Sequence, residues 1–191
     1  MKIGLFFGSF NPIHQGHLII AESALDDVKL DRVWFVVSPQ NPFKEKKNLL
    51  SEYERLRLVE MAIEGNHRLY ASNVEFRLPQ PSFTIDTLTH LFDAYKSYTF
   101  SLIMGEDNLL QLKKWKNAEA ILNNYQIYVY PRTGSAIDSD LKTHPNVHYF
   151  EAPMLDISAT LIRHRIKEKK SIKYLMPEKV EEFIVNKGLY I

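Results

Sequence analysis

The sequence predicts an α/β fold: a doubly wound parallel sheet of about five strands, helices on both faces, and a small helical part at the C-terminal end. Three observations carry this. Short apolar runs that suit buried parallel strands alternate with stretches whose apolar residues recur at helical spacing. Glycine, proline and asparagine mark the breaks between them. No repeat, linker or low-complexity segment divides the 191 residues, so residues 1–191 read as one domain.

In order, residues 3–7 form the first strand, which Gly8, Asn11 and Pro12 break. From Gly16, the residues Leu18, Ile19, Ala21, Ala24, Leu25 and Val28 recur as one helical face. Residues 32–38 are the second strand, so the intervening helix makes a right-handed βαβ crossover. Residues 39–48 form a proline-broken, lysine-rich loop. Ser51 with Glu54 three residues on is a capping-box pattern, and its helix runs through Arg55, Leu58 and Val59 to Gly65. Short strands are expected near 69–71 and 74–76, then a helix from Ser82 to about Tyr95. Residues 99–104 are a central strand ending at Gly105-Glu106-Asp107, and two short helical pieces flank Trp115. Residues 126–130 and 147–150 are the last strands. Asp156 or Ser158 caps a helix over 159–166. The final helix starts at Pro177 and stops at Gly188, proline inside the start and glycine past the end.

Composition narrows the function. A net charge of +1 gives no global attraction to nucleic acid or to anionic membrane, so phosphate affinity has to be local. The absence of cysteine excludes disulfides, thiolate catalysis and Cys-type zinc sites. The apolar start is interrupted too early for a secretory peptide, and no run approaches the roughly 18 apolar residues that span a bilayer. The expectation is a soluble, cytoplasmic protein acting on small molecules, with self-association left open.

The chemistry concentrates at strand ends. A strand, a tight glycine turn and an immediate helix aim backbone N–H groups at an anion. Here His14 and His17, three residues apart at the helix entrance, can face one point. The turn lacks both the G-x-x-x-x-G-K-[ST] and the G-x-G-x-x-G patterns. Lys44, Gly105 with Asp107, and Arg132 also follow predicted strands, whose carboxyl ends line the ligand crevice in such sheets. Ser158 and Thr160 offer hydroxyls and N–H groups at a second helix start, with the Arg163 guanidinium about one turn further on.

The pattern G-x-F-x-P-x-H-x-G-H over residues 8–17 resembles the signature of the nucleotidyltransferase superfamily that carries an H-x-G-H motif. Ile157-Ser158-Ala159-Thr160-Leu161-Ile162-Arg163 resembles its closing I-S-S-T-x-I-R motif, with Ala159 in place of a serine. Phe7 and Asn11 also depart from the commoner Gly and Asp. The resemblance implies a Rossmann-like fold in which His14, His17, Lys44 and Arg163 hold ATP phosphates. It places Gly8, Ser9, Phe10, Gly105, Asp107, Arg132, Ser158 and Thr160 around the nucleotide, with Asp107 on the ribose. The segment Pro81-Ser82-Phe83-Thr84-Ile85-Asp86-Thr87-Leu88 and Trp115 resemble the nicotinate mononucleotide adenylyltransferases in particular. There Trp115 would stack on the pyridine, and backbone N–H groups near Thr84 and Lys116 would bind its carboxylate. The implied reaction is adenylyl transfer from ATP to nicotinate mononucleotide, with Mg²⁺ held by the ATP phosphates. Rival readings are a phosphopantetheine adenylyltransferase, a class I aminoacyl-tRNA synthetase lacking its K-M-S-K-S motif, or a non-catalytic ATP sensor.

Overall fold

In the computed structural model the residues described are 1–39, 49–131, 140–153 and 155–191. Among them, six strands pair in parallel in the order β3-β2-β1-β4-β5-β6. They are β1 (Lys2–Gly8), β2 (Arg32–Val37), β3 (Leu69–Ser72), β4 (Thr99–Gly105), β5 (Gln126–Tyr130) and β6 (Val147–Tyr149). The helices are α1 (Gln15–Asp27), α2 (Glu52–Ala62), α3 (Thr84–Ala94), α4 (Glu106–Gln111), α5 (Ala118–Asn124), α6 (Ala159–Lys167) and α7 (Glu178–Lys187). The sheet therefore exceeds the expected five strands by one.

Period-two alternation divides the core in two. Ile3, Leu5, Trp34 and Val36 face one cluster, filled by Leu88, Leu91, Leu109 and Ile121 from α3, α4 and α5. Phe6, Val33, Phe35 and Val37 face the other, filled by Ala21, Leu58, Ile162, Val180 and Ile184 from α1, α2, α6 and α7. Both faces are thus covered, which is why these strands read as apolar runs. At Gly4 a Cβ would stand 2.5 Å from a Leu30 methyl and 2.6 Å from one of Ile103, so a side chain there would collide with the packed core.

One expected strand is absent. Residues 74–76 belong to a 3-10 helix, Val74–Arg77, in which Phe76 N–H bonds Asn73 O at 3.0 Å. The alternation of Val74, Glu75 and Phe76 suggested a strand, but Glu75 is the buried member and meets polar side chains. Ser51 caps α2 as expected, accepting from Glu54 N–H at 3.2 Å. Gly188 ends α7 in the left-handed conformation at φ 60°.

Strand order reverses between β1 and β4. The register Phe6↔Ile103 places Gly8 and Gly105, each two residues further on, abreast at the carboxyl edge. This is the switch point where open parallel sheets bind ligands.

Candidate active site

Beyond Gly8 the chain turns sharply. Phe10 is left-handed at φ 44°, and its ring folds back so that a Cβ on Gly8 would stand 2.8 Å from it. Glycine is therefore required. The Phe10 ring is buried against Phe6, Phe35 and His17, so this residue offers a ligand only its main chain.

His14 is the N-cap of α1 and is 6 % exposed. Its ring stacks on His17 with centroids 3.7 Å apart. His14 N–H donates to His17 Nδ1 at 3.3 Å, so a neutral His17 carries its proton on Nε2. Both imidazoles share the N-terminus of α1, where the helix dipole adds positive potential.

The second motif meets this turn. Ser158, not Asp156, caps α6 by accepting from Leu161 N–H at 3.1 Å. Arg163 Nη1 donates to the Asn11 carbonyl at 2.6 Å, and Nη2 to Thr160 Oγ1 at 3.3 Å. A Cβ on Gly16 would lie 3.7 Å from Ile157 O, so the start of α6 sits against the start of α1. Two helix N-termini, two imidazoles and a guanidinium are brought together from opposite ends of the chain. Such a cluster favours a polyanion.

Across the switch point, a Cβ on Gly105 would approach Asp107 Oδ1 to 2.5 Å and the Tyr130 ring to 3.1 Å. The Asp107 carboxylate lies folded over that glycine and is exposed. Its neighbour Glu106 is buried instead, paired with Lys142 Nζ at 3.1 Å and accepting from Tyr149 OH at 3.2 Å. Burial, with the Glu106 charge beside it, pushes the Tyr149 phenol up to about 12.

The third group lies on the opposite face of the sheet. Thr84 begins α3, and Lys116 Nζ bonds both Asp86 oxygens at 2.9 Å. Lys116 also stands 5.0 Å from the Phe83 ring centroid. This ties the half-buried Trp115 to the first turn of α3, so Thr84, Trp115 and Lys116 belong to one wall. Ser9 is half-buried in the turn after Gly8, its carbonyl accepting from Arg55 at 2.7 Å. Lys44 and Arg132 lie outside the described residues.

Two structural participants escaped the sequence reading. Arg55 is fully buried and donates to the carbonyls of Ser9, Ser38, Pro39 and Leu50, over distances of 2.7–3.0 Å. Burial pushes its pKa down. The available signal was its place on the Leu58–Val59 face of α2, where a charge is out of register. Asn11 Oδ1 accepts from Leu50 N–H at 3.3 Å and from Tyr190 OH at 2.9 Å, closing the C-terminal end over the turn. No local sequence pattern announces that contact.

Among the described residues no group of three or more His, Cys, Asp or Glu side chains could hold a metal ion. No described helix is long and apolar enough to cross a membrane.

Comparison with known proteins gives a consistent picture. The cytidylyltransferase-like family model matches residues 5–165. A probable nicotinate-nucleotide adenylyltransferase of Flavobacterium psychrophilum is 54 % identical over 191 residues, covering all of this chain and 99 % of the relative. One from Cytophaga hutchinsonii is also 54 % identical, over 190 residues, covering 100 % of this chain and 98 % of the relative. The structure of Plasmodium falciparum nicotinic acid mononucleotide adenylyltransferase complexed with NaAD superposes with a TM-score of 0.81. It covers 99 % of this chain and 97 % of that one at 20 % identity, and so supports the fold alone.

Proposed function

The chain belongs to the cytidylyltransferase-like family, among its nicotinate-nucleotide adenylyltransferases, and from that premise we propose how its site carries out the reaction. It transfers the adenylyl group of ATP to nicotinate mononucleotide, giving nicotinate adenine dinucleotide and pyrophosphate in NAD biosynthesis. One observation carries the assignment of the site: the Arg163 guanidinium bonds the turn that holds His14 and His17.

A phosphate oxygen of the mononucleotide attacks the ATP α-phosphorus as the bond to the β-phosphate breaks and pyrophosphate leaves. The nucleophile is already an anion, so the protein supplies no covalent intermediate and no strong base. What remains is positioning and charge stabilisation. His17, His14 and the α1 N-terminus receive the triphosphate. Arg163, Ser158, Thr160 and the α6 N-terminus close on it from the other side, and Lys44 and Arg132 add positive charge. Gly8, Ser9 and Phe10 offer main chain, and Gly105 lets Asp107 reach the ribose. Thr84, Trp115 and Lys116 hold the pyridine ring and its carboxylate. Mg²⁺ held by the ATP phosphates would supply further neutralisation of phosphate charge. We take residues 1–191 as one catalytic domain working in the cytoplasm.

Pyrophosphate release with ATP plus nicotinate mononucleotide, nicotinamide mononucleotide or phosphopantetheine, each offered separately, tests this. The first acceptor should be used best. Preference for phosphopantetheine would overturn the assignment of the Trp115 wall.

A further inference from the structure

Behind the α3 end of the site lies a carboxylate that the reaction does not use. Glu75 is 2 % exposed. Its Oε2 accepts from Ser82 Oγ at 2.9 Å and its Oε1 from Thr87 Oγ1 at 2.9 Å. The Ser38 hydroxyl is a further polar neighbour of this carboxylate. Ser82 and Thr87 flank Thr84, so one carboxylate grips the entrance of α3 from both sides.

Ser38 is itself tied to the phosphate turn. Its N–H donates to Gly8 O at 2.9 Å, and its carbonyl accepts from Arg55 Nη1 at 2.8 Å. Arg55 Nη1 also reaches Ser9 O at 2.7 Å. Glu75 thus holds the entrance of α3, while its neighbour Ser38 is bonded into the turn after β1.

Burying a carboxylate among hydroxyls costs stability, and burial pushes the Glu75 carboxyl up. Fold stability is thus a poor reason for its presence. We propose that Glu75 is a positioning residue for the mononucleotide half of the site, setting Thr84 and the start of α3 against the phosphate turn. This rests on the reading of Thr84, Trp115 and Lys116 as the mononucleotide wall. Held there, the acceptor phosphate meets the α-phosphorus at working distance. Displaced, it loses affinity while the ATP half stays intact.

Steady-state kinetics and melting of Glu75→Gln, Ser82→Ala and Trp115→Ala test this together. Glu75→Gln keeps the shape but leaves one oxygen to accept, and should raise KM for the mononucleotide about fivefold. KM for ATP should stay within about twofold, and Tm should hold or rise. Ser82→Ala removes one partner and should move the same KM in the same direction, which keeps the test valid if Glu75→Gln folds poorly. Should both leave the mononucleotide KM unchanged while Trp115→Ala raises it, the role of Glu75 is wrong and the wall stands. If Trp115→Ala also leaves it unchanged, the wall itself is misassigned. Equal shifts in both KM values, or a lower Tm with unchanged KM values, would make Glu75 a purely structural residue.

Discussion

The two ends of this site are built differently. The phosphate end is closed on itself: stacked imidazoles at a helix cap, a guanidinium bonded to the facing turn, and a buried arginine tying loop carbonyls. The mononucleotide end is half-open, with Trp115 partly buried and Lys116 and Asp86 each more than 40 % exposed. On the proposed assignment, transition-state charge develops at the first end, where fixed donors act most strongly because nothing has to reorganise. On the same assignment, the second end only has to recognise a ring. Rigidity stands where the chemistry needs it.

The largest test of that contrast is His17→Ala. Losing one fixed donor should lower kcat about 10²–10³-fold, with the mononucleotide KM within about twofold, read by pyrophosphate release. A KM change matching the kcat change would mean that the two ends are one unit.

Arg55→Met comes next, and its readout is stability. The side chain is fully buried, and its loss strands the carbonyls of Ser9, Ser38, Pro39 and Leu50 away from water. Urea unfolding should show a loss of about 3 kcal/mol with an unchanged slope. A loss under about 1 kcal/mol would show that these loops hold themselves, and the phosphate end would be less rigid than its contacts imply.

Gly105→Ala probes the seam between the ends. The new methyl would drive Asp107 away from its place over the strand end, where the carboxylate now lies 2.5 Å from the Cβ position. KM for ATP should rise about tenfold, with the mononucleotide KM nearly constant. An unaltered ATP KM would remove Asp107 from the nucleotide.

The same contrast explains what could be read in advance. The histidine turn, the Ser158–Arg163 motif and the alternating strands are local patterns, and each landed where its spacing placed it. Residues 74–76 did not, because a strand-like alternation cannot show that Glu75 turns inward to Ser82 and Thr87. Arg55 and the Tyr190–Asn11 contact were hidden for a related reason. Their partners lie up to 179 residues away, and only the tertiary fold supplies them. The short edge strand β6 is legible too: the run over residues 147–150 lands on Val147–Tyr149.

The smallest effect is the sharpest discriminator. Lys116 and Asp86 are an exposed ion pair, so Lys116→Ala should cost only about 0.5 kcal/mol, near a twofold rise in the mononucleotide KM. High salt should erase the difference, since exposed pairs are screened within about a Debye length. Asp86→Asn should do the same, and the double variant should lose no more than either single one if the pair acts as a unit. A tenfold, salt-insensitive loss for Lys116→Ala would mean that its ammonium meets the substrate directly. The mononucleotide wall would then be as tightly committed as the phosphate end.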